Sequence, residues 1–136
     1  MRKTVIAAAG CLIGSVSAAE NLDGIDRFIC APGQVQVCIE FDTCYAASPA
    51  DLGMPDFVII DTDEQIISTT PASGDERSSA FSSYVREAGL ISLQGIEGER
   101  ACSFVIDEAT GRLTAAVSLD GMTVTAFGAC TATEGL

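Results

Sequence analysis

Four alternating segments follow one another between Leu90 and Thr131: Leu90–Ile96, Ala101–Asp107, Arg112–Leu119 and Met122–Cys130. The connectors Glu97-Gly98-Glu99-Arg100, Glu108-Ala109-Thr110-Gly111 and Asp120-Gly121 are short, and each carries the glycine that a tight reversal needs. Segments joined this way must lie side by side as an antiparallel meander. Period two puts Cys102, Phe104 and Ile106 on one face, with Leu113, Ala115, Val117 and Leu119 on the matching face of the next strand. Met122, Val124 and Ala126 continue that face, and Phe127 falls on the opposite one.

The chain before Leu90 is less regular. Asn21 to Asp26 reads as a loose polar leader, and Arg27 to Ala31 as a short strand interrupted by Pro32-Gly33. From Gln34 to Phe41 the pattern alternates, with Val35, Val37, Ile39 and Phe41 on one face. Asp42-Thr43 turns the chain and Cys44-Tyr45-Ala46 begins to return. Ser48-Pro49-Ala50-Asp51-Leu52 predicts one helical turn, because a capping residue precedes proline. Asp56–Asp61 and Gln65–Thr69 predict a hairpin, and Pro71 to Ser79 a polar surface loop. Ala80 to Glu87 fits a strand or a helical turn. The expected fold is all-β: an antiparallel up-and-down meander of seven or eight short strands, curled into a small barrel or split into a sandwich.

Residues 1–19 form a predicted signal peptide, and residues 20–136 a single secreted β domain. Arg2 and Lys3 precede an apolar run from Val5 to Val16, and Ser17-Ala18-Ala19 supplies small residues for cleavage after Ala18 or Ala19. Lipid attachment through Cys11 is the weaker reading, since the apolar run ahead of it is too short for a complete signal core. No later stretch approaches a membrane span of about 20 apolar residues. Periplasmic or secreted localisation follows.

Removing the leader leaves five cations against nineteen acids, a net charge of −14. Such a surface repels phosphate backbones and anionic lipid, which argues against nucleic-acid and membrane-surface roles. Solubility and adaptation to a salty exterior explain the charge most simply, and a basic protein partner stays open. The chain contains no histidine, which excludes Ser-His-Asp triads, Cys-His dyads and imidazole metal sites built from it alone.

Five cysteines lie beyond the leader, which in an oxidising compartment means two disulfides and one thiol. Cys102 and Cys130 stand two strands apart in the meander, roughly 9.5 Å, beyond the reach of a disulfide of about 7 Å. Cys38 and Cys44 flank a reversal and can pair locally. Cys30 then pairs with Cys130, first strand to last, and Cys102 is left as a free thiol.

Several short runs carry a resemblance: Phe28-Ile29-Cys30, the Cys38/Cys44 pair, Leu93-Gln94-Gly95, the run from Ile106 to Leu113 and Phe127-Gly128-Ala129-Cys130-Thr131. In these the chain resembles a group of small exported bacterial proteins of unknown function, over most of its length beyond the leader. Members often carry Trp at the place of Cys102, which implies that this cysteine stands outside the disulfide framework. The resemblance implies no activity.

Asp61, Asp63 and Glu64 form the best acidic cluster, but they lack the glycine and distal glutamate of an EF-hand loop and read as a solvated turn. No nucleophile elbow, phosphate-cradling glycine loop or C-x-x-C pair occurs beyond the leader. No catalytic residue, metal ligand or cofactor is therefore assigned. The expected function is a non-catalytic, monomeric binding or accessory module of the cell envelope, its acidic surface facing a basic protein. The loop residues Ser73, Asp75, Glu76 and Arg77 are the candidate contact. The alternative is a lipocalin-like carrier of a small apolar ligand, which needs an enclosed cavity of about 300 Å³ or more.

Overall fold

A computed structural model describes residues 21–133. The signal peptide, its cleavage site and Cys11 lie outside the described residues. Ten strands form one antiparallel sheet. They are β1 Arg27–Ile39, β2 Cys44–Ala47, β3 Val58–Asp61, β4 Ile66–Thr69, β5 Ser78–Ala80, β6 Ser83–Glu87, β7 Leu90–Glu97, β8 Arg100–Asp107, β9 Arg112–Leu119 and β10 Met122–Ala132. Two single 3₁₀ turns, Ala50–Leu52 and Pro71–Ser73, interrupt the connections.

The strand order is β5-β4-β3-β1-β10-β9-β8-β7-β6, with β2 pairing β1 off that path. Strands β7 to β10 are the expected meander, β6 extends it, and the sheet curls into a half-barrel. Its two end strands, β5 and β6, are consecutive in the chain. Phe81 donates its N–H to Gln65 O at 3.1 Å, beside β4, while Ser82 donates to Gln94 O of β7 at 2.8 Å. Adjacent residues thus bond to opposite margins of the sheet. The ambiguous run from Ala80 to Glu87 is the end of β5, a bend at Phe81-Ser82 and then β6, and it ties those margins together. Gly95 makes room for the bend, because a methyl there would stand 3.2 Å from Phe81 Cα and 3.3 Å from Ala80 O.

β1 is continuous through Pro32-Gly33, where the sequence pattern breaks. Its register against β10 shifts between Pro32 and Gln34, so one extra residue bulges out. The bulge also changes phase: Phe28 and Cys30 are buried before it, Val35 and Val37 after it. Phe41 does not continue the inward face. It sits in the β1–β2 turn at φ 58°, fully exposed.

The leader from Asn21 is docked, not loose. Leu22 is fully buried, its N–H bonded to Glu108 O at 2.7 Å. Arg86 of β6 holds this segment with donors to Leu22 O and Ile25 O, both 2.8 Å. The same guanidinium pairs with Glu108 at 2.9 Å and Asp26 at 3.4 Å. Burial opposes its charge, but Glu108 and Tyr84 together outweigh it and hold the Arg86 pKa above the ordinary arginine value. One end of the half-barrel is plugged in this way over a core that includes Phe28, Ile60, Ile91, Leu93 and Ile106. The predicted turn at Ser48–Leu52 forms with a reciprocal cap: Asp51 N–H donates to Ser48 Oγ, and Ser48 N–H to Asp51 Oδ2. Those Ser48 bonds hold the Asp51 carboxyl below its usual range.

Both disulfides pair as expected, Cys30–Cys130 and Cys38–Cys44. Each joins residues directly opposite in a ladder, β1 to β10 and β1 to β2. Cys102 is free and half-buried. Beside the Cys30–Cys130 bond, Gly128 lies against the bulge. A methyl on Gly128 would overlap the Ala31 carbonyl oxygen and stand 3.1 Å from Pro32 Cα. Both obstacles are backbone, so relief requires strand separation.

Two outcomes follow. Gly128→Ala should destabilise the protein by about 3 kcal/mol or more, the upper range for overpacking, read as a lowered denaturation midpoint. Alkylation of a chain beginning at Glu20, unfolded without reduction, should label Cys102 alone by peptide mass mapping.

Candidate functional site

Two transverse rows of the sheet's outer surface carry no charge. One transverse row runs Ser83, Gln94, Ser103, Ala116, Thr125, Gln36 from β6 through β10 to β1. The next runs Val85, Ser92, Val105, Thr114, Phe127, Gln34. Neither contains a charged residue. Phe127, Val85 and Val105 on that wall are exposed by 54%, 49% and 37%. The acidic residues cluster at the hairpin ends instead, as at Asp61-Thr62-Asp63-Glu64, Asp107-Glu108 and Glu97-Gly98-Glu99.

At one margin of this wall the β1–β2 ribbon and the residues leading into the first 3₁₀ turn border an open hollow of about 470 Å³. Gln34, Gln36, Ala46, Pro49, Thr125 and Phe127 are among its lining residues, and none of the residues lining it is charged. Phe127 forms one side. Its outward position follows from strand parity, since Ala126 and Gly128 face inward on either side of it.

The inner face carries a second space. Between β3–β4–β5 and β8–β9–β10 lies an open cleft of about 200 Å³, floored by Cys102, Phe104, Ala115, Val117 and Ala126. Arg77, Glu97 and Arg100 line it as well. A smaller lobe of about 90 Å³ adjoins it between β5 and β7 and shares Ile67, Ser79, Glu97, Cys102 and Phe104. The cleft exists because the inward residues of β9 and β10 are small at Ala115 and Ala126.

All four candidate loop residues are exposed, and Ser73, Asp75 and Arg77 are bonded within or beside the loop. Arg77 reaches the cleft, its Nε paired with Asp75 at 2.6 Å and its Nη2 directed at Gly53 O at 3.5 Å. Ser73 is engaged within the loop, accepting from Asp75 N–H at 3.2 Å and donating to Thr70 O at 2.7 Å. Thr69 Oγ1 bonds Asp75 O and accepts from Arg77 N–H. Glu76 is exposed. Asp61 caps its own hairpin turn by accepting from Glu64 N–H at 2.9 Å.

Cys102 faces the cleft. Burial pushes its thiol up first, Glu97 adds to the shift, and Arg100 opposes it. The group is thus a weak nucleophile at neutral pH. Arg100 was legible only as a turn residue, because its place beside the cleft depends on the sheet's curl.

Fold and surfaces together define a class: a small disulfide-tied β half-barrel with an uncharged outer hollow and an apolar inner cleft. No described protein family, curated protein or solved structure matches the chain.

The electrostatics of Cys102 can be checked directly. Arg100→Gln should move the midpoint of its pH–alkylation profile upward and Glu97→Gln downward, followed by mass spectrometry of the non-reduced protein. Unchanged or reversed midpoints would contradict the assigned environment.

Proposed function

We propose that the protein is an exported binding or accessory module of the cell envelope that docks a basic protein partner. The observation carrying this reading is the segregation of charge. An uncharged wall with exposed Val85, Val105 and Phe127 is bounded by acidic hairpin ends. Protein interfaces have that anatomy, with charge depleted at the centre and polar groups at the rim. The net charge of residues 20–136, 5 − 19 = −14, then steers a cationic partner toward the wall, while the aromatic and aliphatic side chains supply short-range contact.

The two disulfides indicate an oxidising, extracytoplasmic environment. Among the described residues no helix is long and apolar enough to cross a membrane. A lipocalin-like carrier is the second reading, favoured by the inner cleft. Its space is open and divided between about 200 and 90 Å³, where a carrier needs one enclosed cavity of about 300 Å³ or more. It therefore ranks behind docking.

Cross-linked capture from an extracytoplasmic extract, with mass spectrometry of the retained protein, tests the first reading. A basic protein should be retained at about 50 mM salt and lost at about 500 mM, as screening of surface charge requires. Phe127→Glu should abolish retention at the low salt as well. Retention indifferent to salt and to Phe127→Glu, or retention of no basic protein, would exclude the reading.

A further inference from the structure

We propose that the inner cleft binds a single-chain fatty acid, its alkyl chain on the apolar floor and its carboxylate at Arg100. The inference rests on the second reading, of the cleft as a ligand site, and is independent of docking on the outer wall.

Charge is the first argument. The whole chain has 7 cationic and 19 acidic residues, yet the cleft is lined by Arg77, Arg100 and one acid, Glu97. The ratio is inverted where the apolar floor opens to solvent. Arg100 makes no ion pair with any described residue, whereas Arg86 has two carboxylate partners and Arg77 has one. A guanidinium with free donors beside a hydrocarbon surface suits a carboxylate on an apolar body.

Shape is the second. The two lobes lie side by side and share Cys102 and Phe104, so the space is extended, not round. Its inner floor is apolar, with Val117, Ala115 and Ala126 offering no side-chain donor or acceptor. An alkyl chain loses nothing on that floor, and the polar lining residues Ser68, Thr69, Ser78 and Ser79 stand on the β4–β5 side. The volumes of about 200 and 90 Å³ suit one chain and exclude a diacyl lipid.

Cys102 lines both lobes and supplies a built-in reporter. The test uses the folded, non-reduced protein at alkaline pH, with iodoacetamide as label and decanoate below its micellar concentration as ligand. Decanoate should slow Cys102 labelling severalfold in a saturable manner. Apparent affinity should rise from octanoate to decanoate, by up to about fourfold per added CH₂. Decanol should bind about tenfold or more weakly than decanoate, and Arg100→Gln should remove that difference, as expected for a charge-assisted bond. Because Arg100→Gln also shifts the thiol, each variant is compared with itself, with and without ligand. Ala115→Phe should abolish protection by filling the cleft; Arg100→Gln, at an exposed turn, decides the matter if Ala115→Phe fails to fold. Equal protection by decanoate and decanol would overturn the carboxylate site while leaving an apolar ligand site standing. No protection by either would overturn both.

Discussion

The structure depends on the seam between β1 and β10. These strands are the first and last of the fold, and their ladder runs from Phe28 opposite Ala132 to Ile39 opposite Met122. Nothing local brings them together, since the paired residues Cys30 and Cys130 are separated by 100 positions. Closing a loop of that length in the unfolded chain is worth on the order of 4 to 5 kcal/mol in chain-entropy terms, a large share of the stability of one small domain. The disulfide restrains the seam from the inside. The absence of a side chain on Gly128 lets the bulged strand approach from alongside. Remove either and the curl of the sheet loses its anchor, along with the two surfaces that the curl creates.

The bulge explains why one half of the chain is easier to read than the other. On β10 the inward residues Met122, Val124, Ala126, Gly128 and Cys130 keep one parity throughout. On β1 the inward set changes parity at Gly33, because the extra residue flips every side chain that follows. A strict period-two reading must split such a strand. The β5–β6 bend defeats it for a related reason: Phe81 and Ser82 serve opposite margins of the sheet, a property of the closed-up geometry that no window of sequence contains. Leu22 is similar. Its neighbours Asn21, Asp23 and Gly24 are polar or flexible, and only the carbonyls held by Arg86 reveal that the segment is a plug.

Cysteine pairing, by contrast, was legible because the meander supplies distances. Strand spacing and the reach of a disulfide exclude Cys102 with Cys130 before any tertiary contact is known. The outer position of Phe127 was legible from parity alone. The candidate site was not, since the hollow beside Phe127 needs the β1–β2 ribbon, and the cleft needs β3, β4 and the first 3₁₀ turn brought over β8 and β9. The loop residues Ser73 and Asp75, attractive as exposed polar groups, are occupied in holding the loop's own shape.

The two surfaces arise from one pattern of side-chain size on β9 and β10. A barrel this small could be filled by large residues, as its plugged end is by Phe28, Ile60, Leu93 and Ile106. Toward the other end Ala115 and Ala126 stand opposite each other in the ladder, flanked by Val117 and Val124. Their small size leaves room for the cleft on the side of β3 and β4. Leaving apolar surface unfilled forfeits dispersion contacts, a loss felt more in a small domain than in a large one. The loss is offset when the space has an occupant, and the unpaired guanidinium of Arg100 beside it supplies the chemistry by which one would be selected.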